Sequence, residues 1–152
     1  MNSISKQRFL RVISLFLVIV FILPLPVFAV ENNEIQPYAS YYLTSYQAYV
    51  YPAGSGEVQV WFSVTADDYM DEIGALSIHL YESTDNTNWT YKKTFRYSDY
   101  SDMLDYNDIY HSGHVSYQGV TGRYYKAYVC IWAGKDGDGD TRYYWTSAKK
   151  AT

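Results

Sequence analysis

The ten residues Glu57–Ala66, EVQVWFSVTA, decide the fold. Val58, Val60, Phe62 and Val64 fall on one side of an extended chain, and Gln59, Trp61 and Ser63 on the other. Successive side chains of a strand point to opposite faces, so this period of two marks a strand with one face in a core. Ala75–Ser83 repeats the pattern, with Leu76, Ile78 and Leu80 against Ser77, His79 and Tyr81. Tyr124–Ala133 does so again, with Tyr125, Ala127, Val129 and Ile131 opposing Lys126, Tyr128, Cys130 and Trp132.

Outward from these three, Ala39–Tyr51, Trp89–Phe95, His114–Val120 and Arg142–Ala148 read as four more strands. Turn chemistry separates them in PAGSG (Pro52–Gly56), TDNTN (Thr84–Asn88), TG (Thr121–Gly122) and GKDGDGD (Gly134–Asp140). About seven short strands predict an all-β chain, a single antiparallel β-sandwich of immunoglobulin/fibronectin-like type over residues 38–152. GRYYKAYV (Gly122–Val129) adds a Tyr at the start of the sixth strand, the position of the tyrosine corner in such sandwiches. The single cysteine, Cys130, excludes the disulfide pin of antibody domains and reads as a small apolar residue within its strand.

The first 29 residues read as a cleaved secretory signal peptide. Lys6, Arg8 and Arg11 precede the apolar run Val12–Leu23, and Val27-Phe28-Ala29 offers small residues where a signal peptidase cuts. The run is short for a membrane span, and residues 30–37 read as a flexible lead-in. Removing residues 1–29 takes away three of twelve Lys+Arg and none of sixteen Asp+Glu, so nine against sixteen leaves the mature chain at −7. Phosphate backbones and anionic lipid repel such a surface, which argues against nucleic acid and, after signal cleavage, against membrane binding. A secreted, extracellular protein is expected.

Two surfaces draw attention. All nineteen tyrosines lie beyond residue 29, where the only phenylalanines are Phe62 and Phe95. So many rings cannot all be core, and tyrosine is enriched where proteins bind glycans or other proteins. Tyr128 and Trp132 share the outer side of the sixth strand, and His79 and Tyr81 join them if the third strand lies alongside; these four are the candidate ligand-binding residues. The second surface is acidic. Simple up-and-down strand order gathers Asp67–Gly74, Arg96–Gly113 and Gly134–Thr141 at one pole, with eleven of the sixteen acidic residues. Asp136, Asp138 and Asp140 alternate there as in a calcium loop, but an EF-hand needs Gly where Thr141 stands and Glu where Ser147 stands. That excludes an EF-hand and leaves either a calcium site completed by neighbouring loops or a solvated hairpin. His111 and His114 lack the helix that would align them for zinc, and nothing in the sequence ties a histidine to Cys130 for catalysis.

From MDEIGALSIHLYEST (Met70–Thr84) through HSGHVSYQGVTGRYYKAYV (His111–Val129) to AGKDGDGDTR (Ala133–Arg142), the chain resembles an uncharacterised family of small secreted proteins of Gram-positive bacteria, a domain of unknown function. The resemblance implies a signal peptide and a compact β-rich domain, and carries no site residues with it. The expected function is that of a non-catalytic extracellular binding or adhesion module for a glycan or protein ligand. The alternative is a secreted antimicrobial or signalling effector.

Overall fold

The strand read first, β2, runs Glu57–Met70 and lies between β1 (Leu43–Gly54) and β6 (Asp108–Gln118) in an antiparallel three-stranded sheet, sheet A. The computed structural model describes residues 41–152, so the signal peptide and lead-in read at 1–29 and 30–37 lie outside the described residues. A second antiparallel sheet, sheet B, has the order β4 (Thr90–Arg96), β3 (Glu72–Ser83), β7 (Tyr124–Lys135), β8 (Asp138–Trp145). Two-residue strands β5 (Leu104–Asp105) and β9 (Lys149–Lys150) add to β3 and β7, and a 3-10 turn spans Ser101–Met103.

The inner faces of the two sheets make one core. Val58, Val60, Phe62 and Val64 of β2 are buried with Ile73, Ile78 and Leu80 of β3 and Tyr125, Val129 and Ile131 of β7. The alternation in the sequence is the burial pattern of the fold except at Leu76, where a bulge between Ala75 and Ser77 buries Ala75 instead and leaves Leu76 half-buried. The expected antiparallel β-sandwich is the structure. Apolar burial of about 1.5–3 kcal/mol per large side chain supplies most of the stability in a chain without a disulfide.

Strand ends differ from the sequence reading for physical reasons. β2 continues through the exposed Asp67, Asp68 and Tyr69 because Met70 and then Ile73 bury beyond them. The expected loop Asp67–Gly74 thereby shrinks to the single residue Asp71 between two strands. β6 begins at Asp108 rather than His114, since Thr65 to Glu57 pair with Tyr110 to Gln118 along its length. The loop expected at Gly134–Thr141 is a two-residue hairpin. Asp136 and Gly137 both have positive φ, 55° and 81°, between the paired Lys135 and Asp138. That is the conformation in which Asp-Gly turns match the twist of flanking strands.

The end of the sandwich opposite this hairpin is closed by a polar knot. Glu82 of β3 and Tyr125 of β7 are paired in register, and both are buried. The Tyr125 hydroxyl donates to Glu82 Oε2 at 2.5 Å and accepts from the Val120 backbone N–H at 2.8 Å. Arg123 and Lys92 reach Glu82 Oε1 at 2.6 and 3.1 Å. The bond back to Val120, five residues upstream, gives the corner role to Tyr125 of the apolar set, one residue beyond the strand-opening tyrosine to which the sequence pointed.

Candidate functional site

β3 lies beside β7, so the outer side of sheet B carries the aromatic face the sequence anticipated. Tyr128 of β7 sits between His79 of β3 and Trp145 of β8, its partners in register. Ring contacts cross all four strands. Tyr91 packs edge-on against Tyr81 at 5.9 Å between centroids, Tyr81 against Trp145 at 5.3 Å, Trp145 against Tyr128 at 4.8 Å, and Tyr128 stacks on Tyr143 at 5.5 Å. Tyr91, Tyr143 and Trp145 are exposed. The Lys126 ammonium stands 4.4 Å from the Trp89 ring and 4.7 Å from Trp145, attracted by the negative ring faces.

The run RYYW did not reveal which rings face outward; pairing settles it. Tyr143 and Trp145 lie opposite Cys130 and Tyr128 on the outer face, whereas Tyr144 turns the other way and meets Tyr46 edge-on at 6.2 Å. Cys130 is buried beneath this face, and burial pushes its thiol pKa up. A thiol so disposed is a poor nucleophile at neutral pH.

His79 is half-buried, with Nδ1 2.8 Å from Thr94 Oγ1 and Nε2 3.4 Å from Ser77 Oγ. Burial, and then the positive charge of Arg96, hold its pKa below the usual histidine value. It braces the face as a neutral ring rather than charging it. Trp132 stands apart from this row. Its ring lies over Gly134 and Gly139 of the β7–β8 hairpin, where a Cβ on Gly134 would come within 2.5 Å of the indole, and its Nε1 donates to Glu72 Oε2 at 3.2 Å. Of the four residues singled out from the sequence, Tyr128, Tyr81 and His79 share one surface, and Trp132 covers the hairpin backbone beyond it.

The acidic segments do meet at one pole, held by partners of their own. Asp71 Oδ2 accepts the Asp136 backbone N–H at 2.7 Å, and Lys135 pairs with Asp68 at 2.5 Å. The bond from Lys135, reinforced by the Tyr69 backbone N–H, lowers the Asp68 pKa. Asp138 Oδ1 accepts from the Gly139 N–H, and Asp140 Oδ2 accepts the Tyr42 backbone N–H at 2.7 Å. Among the described residues, Asp136, Asp138 and Asp140 included, no three His, Cys, Asp or Glu side chains come together in a way that could hold a metal ion. His111 is likewise occupied, with Nε2 2.9 Å from the Asp102 carbonyl oxygen and Nδ1 3.7 Å from Asp105.

Sequence reasoning passed over the outer face of sheet A. There Trp61 stacks on His114 at 4.4 Å and lies parallel to Tyr49 at 6.4 Å. The available signal was Trp61 itself, set among Gln59 and Ser63 on the polar side of β2.

No family model matches the chain. No curated protein matches it either. Among solved structures it has similarity to the crystal structure of a family 76 glycoside hydrolase from a bovine Bacteroides thetaiotaomicron strain, at 14% identity over 70% of this chain and 20% of that one, with a TM-score of 0.31. The chain spans about a fifth of the length of that hydrolase, and at this similarity neither fold nor activity transfers from it.

Proposed function

We propose that this protein is a non-catalytic extracellular binding module that takes a glycan or protein ligand on the outer face of sheet B. The observation that carries the reading is the unbroken series of ring contacts from Tyr91 through Tyr81, Trp145 and Tyr128 to Tyr143. Aromatic rings provide large, stiff contact area at low entropic cost, and tyrosine hydroxyls at their rims offer hydrogen bonds to a polar ligand. Lys126 between two indoles adds a cation whose stem packs on the same surface. The buried acid Glu82 is committed to Tyr125, Arg123 and Lys92, so it serves the fold.

The test is retention of the purified protein on insoluble bacterial cell wall and on a glycan array. Trp145→Ala and Tyr128→Ala are each expected to weaken binding at least about tenfold, as loss of a central aromatic anchor does. Both variants binding as tightly as wild type would overturn the assignment to this face.

A further inference from the structure

We infer that the outer face of sheet A is a second, separate binding site, and that its ligand is a neutral polysaccharide. The pairing register places outward residues of β1, β2 and β6 in four rows that cross all three strands, and Glu57 pairs with Gln118 at their edge. The rows are Ser45–Thr65–Tyr110, Gln47–Ser63–Ser112, Tyr49–Trp61–His114 and Tyr51–Gln59–Ser116. Not one of these twelve positions holds Asp, Glu, Lys or Arg, in a chain that carries 28 such residues. A solvated sheet face in an acidic protein ordinarily carries charge to keep it soluble and to blunt association. This one carries hydroxyls, amides and rings.

The geometry suits a sugar chain. Parallel rings at 4.4 and 6.4 Å stack across the strands, so the third row forms a ridge over the whole sheet. Ring edges are electropositive and ring faces electronegative. The flanks of the ridge therefore meet hydroxyl oxygens, and its two ends, Tyr49 and His114, offer ring faces to sugar C–H groups. Beside the ridge lies an open groove of about 330 Å³ lined by Ser45, Tyr46, Gln47, Ser63, Thr65 and Tyr110. Four residues of strand separate the Trp61 row from the Tyr110 row, about 13 Å at the usual rise, room for a sugar ring between aromatic walls. The floor is serine and glutamine, side chains that both donate and accept and so match vicinal hydroxyls.

Charge selects among occupants. With no cation in the four rows, an anionic polymer gains no ion pair there. The carboxylate at their edge, Glu57, already accepts from the Gln59 amide at 3.5 Å, so the rows themselves offer a cationic peptide no carboxylate. A second copy of the chain would have to bury the hydroxyl and amide rows against themselves, at a cost for each group left unpaired. A neutral, hydroxyl-rich polymer is the ligand whose hydrogen-bonding capacity the face answers throughout.

The experiment is native affinity electrophoresis of the full mature chain. Gels contain a mannan, a xylan, a mixed-linkage β-glucan or an α-glucan, with polygalacturonate as charged control. Retardation by at least one neutral polymer is expected. Trp61→Ala and the double variant Gln47→Ala/Tyr110→Ala are each expected to raise the dissociation constant at least about tenfold. Tyr106→Ala, at an exposed tyrosine between β5 and β6 that belongs to neither ring series, keeps wild-type retardation, so the loss is read from this face and not from any surface tyrosine. Gln47 and Tyr110 are exposed, which lets the double variant decide should Trp61→Ala melt early. No retardation in any neutral gel overturns the site, as does retardation that survives the double variant. So does a dimer in sedimentation that Trp61→Ala dissolves, since the face would then belong to a second copy.

Discussion

Glu82 and Tyr125 face each other across β3 and β7, buried and joined by a 2.5 Å hydroxyl-to-carboxylate bond. Burial works against ionisation of Glu82, but the bonds from Tyr125, Lys92 and Arg123 outweigh it and leave the carboxyl pKa below its ordinary value. The same contact acts oppositely on the phenol. Burial first, and then the Glu82 bond, push the Tyr125 pKa up to about 12.

Removing the hydroxyl should therefore be costly. In Tyr125→Phe, Glu82 loses a charge-assisted bond and the Val120 N–H loses its acceptor. A destabilisation of about 2 kcal/mol is expected from chemical denaturation. A loss under about 0.5 kcal/mol would show that the corner is dispensable.

The acid limb follows from the sign of the Glu82 shift. A carboxyl with a depressed folded-state pKa contributes stability above its unfolded value of 4.5. That contribution disappears as pH falls through the lower folded value. Melting temperature against pH should accordingly flatten below 4.5 in Glu82→Gln, starting from a lower plateau. A variant curve parallel to wild type through that range would contradict the assignment.

At the alkaline end the direction reverses. Tyr125, raised from 10 to about 12, contributes fully below pH 10 and loses that contribution as pH climbs toward 12. The stability difference between wild type and Tyr125→Phe should narrow over this window, and comparing the two cancels the titration of the other tyrosines.

The β7–β8 hairpin makes a steric prediction. A methyl group at Gly139 would run into the Trp132 ring and the Ala133 carbonyl. Gly139→Ala should cost about 1–3 kcal/mol, the range for overpacking. The penalty should be smaller in a Trp132→Ala background, as a double-mutant cycle will read. Equal penalties in the two backgrounds would mean that the ring does not rest there.

Calcium is expected to leave the melting temperature where chelator leaves it. Asp68, Asp71 and Asp140 already hold an ammonium or backbone N–H groups. A rise of several degrees with millimolar calcium would instead show a metal role for the pole.

The core was legible because burial and local alternation coincide. Val58 to Val64 read inward from the sequence and are inward in the fold. Where alternation breaks, the reading stopped early. Asp67, Asp68 and Tyr69 are all exposed while β2 continues to Met70, and Gly113 is a strand residue packed against the Phe62 ring. The sheet B face was legible once β3 and β7 were taken as neighbours. The sheet A rows were not, because Gln47, Ser63 and Ser112 become adjacent only through a register set by pairings 16 and about 50 residues apart in the chain. The sequence carries no local mark of that register.

The places of the tryptophans have a spectroscopic consequence. All four, Trp61, Trp89, Trp132 and Trp145, lie outside the core, on sheet A, on sheet B and over the hairpin. Indole emission therefore reports the surface of this molecule rather than its interior. Quenching by a soluble agent, shielded or not by an added polymer, reads occupancy directly. Variants retaining a single indole would tell which side of the sandwich a ligand covers.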